Sequence, residues 1–362
     1  MAELLAEEPR RRLLDVSSND YLGLGRGNVS RETLEALGRA PPGGRASRLI
    51  FGTHPTHLAL ERELADWVGQ PEALLFSSGY AANVGALASL ADRGDAVFSD
   101  ALNHASIVDG CRLSKADIRV YPHRDLAALD RQLAATPSQG HRWVVSESYF
   151  SMDGDSPDLT GLAAVCERHG ASLVLDEAHA LGVFGPDGAG LASAAGVRPD
   201  VLVGTLGKAV GAQGAFVAGS AELRTYLWNR ARSLVFSTAP SPILATLTLE
   251  QVRRARAAND ERARLNEVCR TLRETLDAAR VPLLPASHGP IVAIVLGANA
   301  AAVAAAAGLA EHGIQARAIR PPTVPDGTAR LRITLDATLR PEDVARIADA
   351  LAATAATACS AS

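Results

Sequence analysis

The sequence predicts an α/β fold: a large domain with a mostly parallel central sheet flanked by helices, plus a smaller C-terminal α+β domain. Three observations predict it. From about Thr56 helical and extended patterns alternate, as they do where strand–helix–strand units wind around a parallel sheet. The extended runs are short and continuously apolar, as in Ser172-Leu-Val-Leu-Asp176 and Val201-Leu-Val-Gly-Thr205, which suits burial on both faces. The chain has 362 residues, 47% hydrophobic and 21% charged, enough for a large core and a second smaller one.

The elements follow in order. Thr56 is expected to cap a helix carrying Leu60, Leu64, Trp67 and Val68 on one face and stopped by Gly69. Strands are predicted at 73–76, 95–99, 117–121, 142–146, 172–176, 201–205 and 214–217, with helices at 80–91, 126–135, 159–169 and 221–232 between and after them. A long Arg- and Glu-rich helical region, 244–280, marks a shift in composition. Beyond it the pattern reads strand 291–296, a helix 300–312 capped by Asn299, a Pro-rich loop 321–325, strand 329–335 and a terminal helix 341–354. This divides the chain into an N-terminal segment 1–42, a large domain 43–240, and a linking helix with the small domain, 241–362.

Bulk properties exclude several classes. The net charge is −4 and the longest basic run is Arg10-Arg11-Arg12, so no nucleic-acid footprint is present. The apolar stretch 291–310 is interrupted by Gly297 and Asn299 and is mostly alanine after that, which fits a strand and a helix better than a membrane span. Four scattered cysteines and an N-terminus without an apolar leader point to a reducing cytoplasm, and no cluster asks for a metal.

The chemistry is carried by polar residues at strand ends, where ligands bind in open parallel sheets. Asp176 and Lys208 each close a buried run: a carboxylate at one strand end and an amine at another is what pyridoxal phosphate requires, the amine to form an imine and the acid to keep the pyridine nitrogen protonated. Each has a plainer reading. A lone strand-end Asp is usually a cap and a lone Lys a solvated cation, but His179 lies three residues after Asp176, and Lys208 lies in the glycine-rich turn Thr205-Leu-Gly-Lys-Ala-Val-Gly211. Ser77-Ser78-Gly79-Tyr80 is a strand-to-helix turn that can offer backbone N–H groups and the Ser78 hydroxyl to a phosphate, and is equally a common cap. His104 is as fit to cap a helix as to stack on a flat ring.

The ordered set Ser17 to Leu24, Ser47 to Gly52 with His57 to Glu61, Phe150 to Asp155, Leu175 to His179, Thr205 to Lys208 and Ile319 to Arg332 resembles the α-oxoamine synthases. These are fold-type I pyridoxal phosphate transferases that condense an amino acid with an acyl thioester and release carbon dioxide. The resemblance runs from about Ser17 to the C-terminal helix. It implies Lys208 as the Schiff-base lysine, Asp176 as partner of the pyridine nitrogen, His179 as donor to the phenolic oxygen and His104 as the stacking ring. It implies Gly79, Tyr80 and Thr205 on the phosphate, Ser151 against the ring near His179, Arg332 and Asn19 on the amino-acid carboxylate, and Thr323 on substrate, across a subunit boundary. Glu147 matches an acidic position whose role the resemblance leaves open.

Within the family, Ile319 to Arg332 favours the branch that joins L-alanine to a pimeloyl thioester of coenzyme A or acyl carrier protein, in biotin synthesis. The glycine and acetyl-CoA branch is the alternative. A homodimer with shared active sites is implied. Two departures stand out: relatives carry a longer N-terminal segment with an acyl-binding arginine, which Arg10, Arg11 or Arg12 would have to replace, and the loop Gly43 to Ser47 differs from the family's version. A lysine-lacking, non-catalytic relative is disfavoured because Lys208, Asp176, His179 and His104 are all present.

Overall fold

A computed structural model describes residues 13–136 and 140–360; for 355–360 it describes the backbone alone. Arg10, Arg11 and Arg12 lie outside the described residues. The strands are β1 (Leu14–Asp15), β2 (Glu72–Phe76), β3 (Ala96–Asp100), β4 (Asp117–Tyr121), β5 (Arg142–Glu147), β6 (Ser172–Asp176), β7 (Val201–Thr205), β8 (Ala215–Gly219), β9 (Ile291–Gly297), β10 (Ile314–Gln315), β11 (Arg317–Ile319) and β12 (Ala329–Thr334). The described residues form two compact units, one within 22–151 and 156–262, the other of 13–21, 152–155 and 263–360.

In the first unit, seven strands run in the order β2-β8-β7-β6-β5-β3-β4. The pairs β3–β4, β3–β5, β5–β6 and β6–β7 are parallel, while β8 is antiparallel to both neighbours. The carboxyl ends of every strand except β8 therefore meet at one edge.

The two-residue period of a strand splits the core into layers. Val174 and Val145 pack with Leu87 and Ile107 from the helices Gly79–Leu90 and Ala105–Ser114. Their neighbours Leu173, Leu175 and Val144 pack on the other face with Leu129 and Leu162, from Leu126–Ala135 and Leu159–His169. Truncating a fully buried side chain such as Leu162 to Ala costs about 2–5 kcal/mol.

Several sequence expectations are corrected here. β4 is an edge strand with residues 117, 118 and 120 exposed, so its alternating Ile118 and Val120 face solvent. The helix Pro55–Trp67 is capped by the His54 ring, which accepts the Thr56 N–H, and Thr56 lies inside it. The region 244–280 is two helices, Pro242–Ala257 and Asn259–Ala278, and the helix beginning at Ala221 stops at Arg230.

The second unit holds an antiparallel sheet, β11-β12-β9, and the parallel pair β1–β10. Ile291, Val292, Ile294, Leu331 and Ile333 are buried, with Leu309 of Asn299–Glu311 and Ile347 and Leu351 of Pro341–Ser360. Asn299 is the first helical residue rather than the cap; Ala298 takes the cap position without a side-chain hydrogen bond. No helix among the described residues is long and apolar enough to cross a membrane.

Candidate active site

A cavity of about 180 Å³ opens at the edge where the strand ends meet. Its lining includes Gly79, Tyr80 and Asn83 of the first helix after β2, His104 and Ser106 after β3, Glu147 ending β5, Asp176 and His179 at and after β6, and Thr205 and Lys208 at and after β7. Five separate stretches of chain are thus brought together because parallel strands all end on the same side.

Asp176 is 5% exposed, and both of its oxygens have donors. Oδ1 accepts the Ala178 N–H at 2.8 Å and Oδ2 accepts Asn83 Nδ2 at 2.7 Å, while Asn83 also donates to Ser106 Oγ at 3.0 Å. Two donors on a carboxylate hold its orientation.

Glu147, the register partner of Asp176 across β5 and β6, lies on the same face of the sheet. Its Oε1 accepts the His104 backbone N–H at 2.6 Å. Burial first, then the nearby Asp176, pushes the Glu147 carboxyl up to about 8, against the opposing pull of the His104 N–H and Lys208. Two carboxyls in one dry space are poor company as two anions.

His104 takes the capping role and also stands at the cavity. It caps Ala105–Ser114, its Nδ1 accepting the Ser106 N–H at 3.2 Å, and its ring lines the cavity. Crowding by protein lowers its pKa, Lys208 adds to the shift, and Asp176 works against it. A ring kept neutral is better suited to lie flat on a cationic pyridine than an imidazolium is.

Lys208 is mounted on a tight turn after β7. Leu206 N–H donates to the Gly214 carbonyl at 2.9 Å, Gly211 N–H to Lys208 O at 2.8 Å, and Ala212 N–H to Leu206 O at 2.8 Å. Leu206 and Val210 are wholly buried and pin the turn on both sides of the amine. Gly211 is obligatory: its φ is +68°, and a Cβ there would lie 2.4 Å from the Gly25 nitrogen.

The start of Gly79–Leu90 borders the cavity, and the first N–H groups of a helix have no partner within it. Gly79 faces Thr205 across this space, since a Cβ built there would stand 3.6 Å from Thr205 Oγ1, in ordinary contact. Ser78 does not line this space; its hydroxyl caps the helix by accepting the Ala81 N–H at 3.1 Å. The donor set of a fixed carboxylate, an amine and a helix N-terminus flanked by a threonine hydroxyl fits pyridoxal phosphate.

Ser151 is half-buried in the turn Ser151–Asp153 and does not line the cavity. In the second unit, Arg332 is 7% exposed, donating to Asn19 Oδ1 at 3.0 Å and to Thr334 Oγ1 at 2.9 Å. Thr323 is exposed in the turn after β11. Sequence reasoning missed Asn83 and Ser106. The signal for Asn83 was available, because it follows Gly79 by one helical turn and so shares its face.

The chain matches the family model described as Aminotransferase class I and II over residues 11–351. It is 46% identical over 346 residues to the 8-amino-7-oxononanoate synthase of Marinobacter nauticus, covering 94% of this chain and 87% of the relative. The chain belongs to the class I and II aminotransferase family, on its 8-amino-7-oxononanoate synthase branch.

Solved members of this aminotransferase family share the fold at lower identity. The serine palmitoyltransferase of Sphingomonas wittichii superposes with a TM-score of 0.91 at 32% identity, covering 97% of this chain and 89% of the other. A structure of SPT with PLP as an internal aldimine gives 0.90 at 31%, covering 96% and 88%. The fold is thus the fold-type I architecture, with its mostly parallel sheet flanked by helices. The described cysteines Cys111, Cys166 and Cys269 are free and buried, their thiols pushed up to about 12 by burial, and take no part.

Proposed function

We propose that this chain condenses L-alanine with a pimeloyl thioester to give 8-amino-7-oxononanoate, carbon dioxide and the free thiol carrier, on pyridoxal phosphate. The observation that carries the reading is one cavity holding Lys208, Asp176, His104 and the Gly79 helix start, in a chain 46% identical to a synthase of that name. The margin over the 32% identity to a serine palmitoyltransferase favours alanine and the shorter acyl chain.

The bound cofactor supplies an aldehyde and a cationic ring that withdraws electrons from the α-carbon of the attached amino acid. Lys208 Nζ is the amine that holds the aldehyde. Freed by the incoming amino acid, Nζ would be a base inside the cavity, able to take up the Cα proton. Asp176, fixed by Ala178 and Asn83, keeps the proton on the pyridine nitrogen. The His104 ring would cover one face of the cofactor and His179 would donate to its phenolic oxygen, both from the cavity lining, whereas Ser151 lies outside it. Backbone N–H groups of Gly79 and Tyr80, with Thr205 Oγ1, receive the phosphate, and the cap at Ser78 holds their turn in place. We assign Arg332, aligned by Asn19, to the amino-acid carboxylate, because a guanidinium matches it with two parallel hydrogen bonds. Thr323 is assigned to substrate.

Residues 43–240 are in our reading the part that holds the cofactor, between the segment 1–42 and the small domain 241–362. A homodimer with shared sites is proposed, with coenzyme A or acyl carrier protein as thiol carrier and the cytoplasm as location. Ile50, Phe51 and Phe236 are about three-quarters exposed, and the bridge between Ser47 and Thr238 brings their segments together, which gives an apolar surface for a second copy.

The test is carbon dioxide release from alanine with pimeloyl-CoA, compared with glycine and acetyl-CoA and with serine and palmitoyl-CoA. Alanine with the pimeloyl thioester should turn over fastest. A faster glycine or serine reaction would replace the substrate assignment, and sedimentation as a fully active monomer would remove the dimer.

A further inference from the structure

The cavity contains one more carboxyl than the condensation uses. Asp176 and Glu147 are register partners on adjacent parallel strands and line the same space, yet only one anion is needed at a pyridine nitrogen. Their partners differ. Asp176 has a donor on each oxygen, from Ala178 and Asn83, which suits a carboxylate; Glu147 takes one N–H, from His104, on Oε1.

Resting on the function proposed above, we propose that Glu147 is a positioning residue acting as a neutral acid. Its carbonyl oxygen anchors the His104 N–H from which the stacking ring is hung, and its proton leaves Asp176 as the single anion of the pair. The groups facing it are Asp176 on β6, Asp100 on β3, Lys208 after β7 and the N–H of His104. Burial and the two carboxylates favour the proton, Lys208 and the N–H oppose it, and the balance places the titration near 8. A second full charge in this space would also repel a phosphate-bearing ligand.

The linkage has a definite sign. The folded carboxyl titrates near 8, against 4.5 in its ordinary state, so the folded chain holds a proton that the unfolded chain releases. Stability attributable to Glu147 is complete below the lower value, declines as pH rises toward about 8 and is level beyond. Glu147→Gln keeps the shape and the acceptor without the titration.

In cofactor-free protein, the melting temperature of E147Q relative to wild type should therefore climb by several degrees between pH 5 and 8 and then level off. Pyridoxal phosphate binding, measured by equilibrium dialysis at pH 7, should weaken about tenfold in Glu147→Ala, which removes the acceptor of the His104 N–H. In E147Q it should stay within about threefold of wild type, and the ratio of wild-type to E147Q affinity should fall as pH passes 8.

A melting difference flat from pH 5 to 8, or E147Q losing the cofactor as fully as E147A, overturns the proposal. Should E147Q not fold, neutron diffraction from wild-type crystals at pH 7 decides: a deuteron on a Glu147 carboxyl oxygen supports it and none overturns it. No readout here involves alanine or a thioester, so its failure and that of the condensation assay are separable.

Discussion

Two glutamates of the same unit, Glu61 and Glu147, are each 3% exposed, and the chain deals with them in opposite ways. Glu61 is met by two guanidinium groups: Arg48 Nη1 and Nη2 lie 2.7 and 3.2 Å from its two oxygens and Arg224 Nη2 3.4 Å from Oε2, while the Leu75 N–H donates at 2.9 Å. Glu147 is met by another acid and a single N–H. The first arrangement is a closed ion pair that leaves nothing over for a ligand. The second keeps its polarity open toward a cavity. Burial alone therefore does not mark a functional carboxyl; the partners do.

The largest effect expected of that contrast lies at the cavity. Lys208→Ala removes its amine, and carbon dioxide release should fall by on the order of 10³-fold or more, with little change in melting temperature. Asp176→Asn should follow with a loss on the order of 10²-fold, because an amide does not hold a proton on the pyridine nitrogen.

At the closed pair the reverse should hold, with stability lost first. Arg48→Ala takes from Glu61 its two-point partner and leaves only the longer Arg224 contact, and should cost about 3 kcal/mol in urea unfolding, while Arg48→Met with Glu61→Leu should recover much of it. If the double variant is no better than the single one, the pair is more than mutual neutralisation.

A pH effect sharpens the same comparison. His57 neighbours Arg48 and is lowered to about 4, chiefly by burial and then by that guanidinium. The folded chain holds it neutral, with its Nε2 donating to the Pro240 carbonyl at 2.9 Å and Nδ1 accepting the His54 N–H at 3.1 Å. Its contribution is present above about pH 6.5 and is lost as pH falls toward 4, so wild type should melt several degrees lower at pH 4.5 than at 7. His57→Gln should flatten part of that acid limb. The smallest effect is at the helix cap: Ser78→Ala should cost about 1 kcal/mol, read as a small drop in urea midpoint.

The strands that place Asp176 and Lys208 were legible in the sequence because each is a buried apolar run: 172–176 and 201–205 were predicted with the boundaries observed. Lys208 and Asp176 were legible for the same reason, as polar residues where an apolar run stops. Asn83 carried only the signal of following Gly79 by one helical turn, and Ser106, in the first turn of its helix, carried none, since it gains its meaning only through its contact to Asn83. The weight of Glu147 was equally hidden, because its neighbour across the sheet lies far off in sequence. Thr56 and Asn299 looked like caps by residue type, but the helix starts were decided by the His54 ring in one case and by backbone alone in the other.

The close approach of Gly211 to Gly25 has an evolutionary corollary. Any side chain gained at position 211 must displace the strand of chain around position 25, and the reactive turn would move with it. The two sites can therefore drift only in concert, and a fusion partner or affinity tag is best appended well upstream of Leu22, where the inherited fit between these backbones stays untouched.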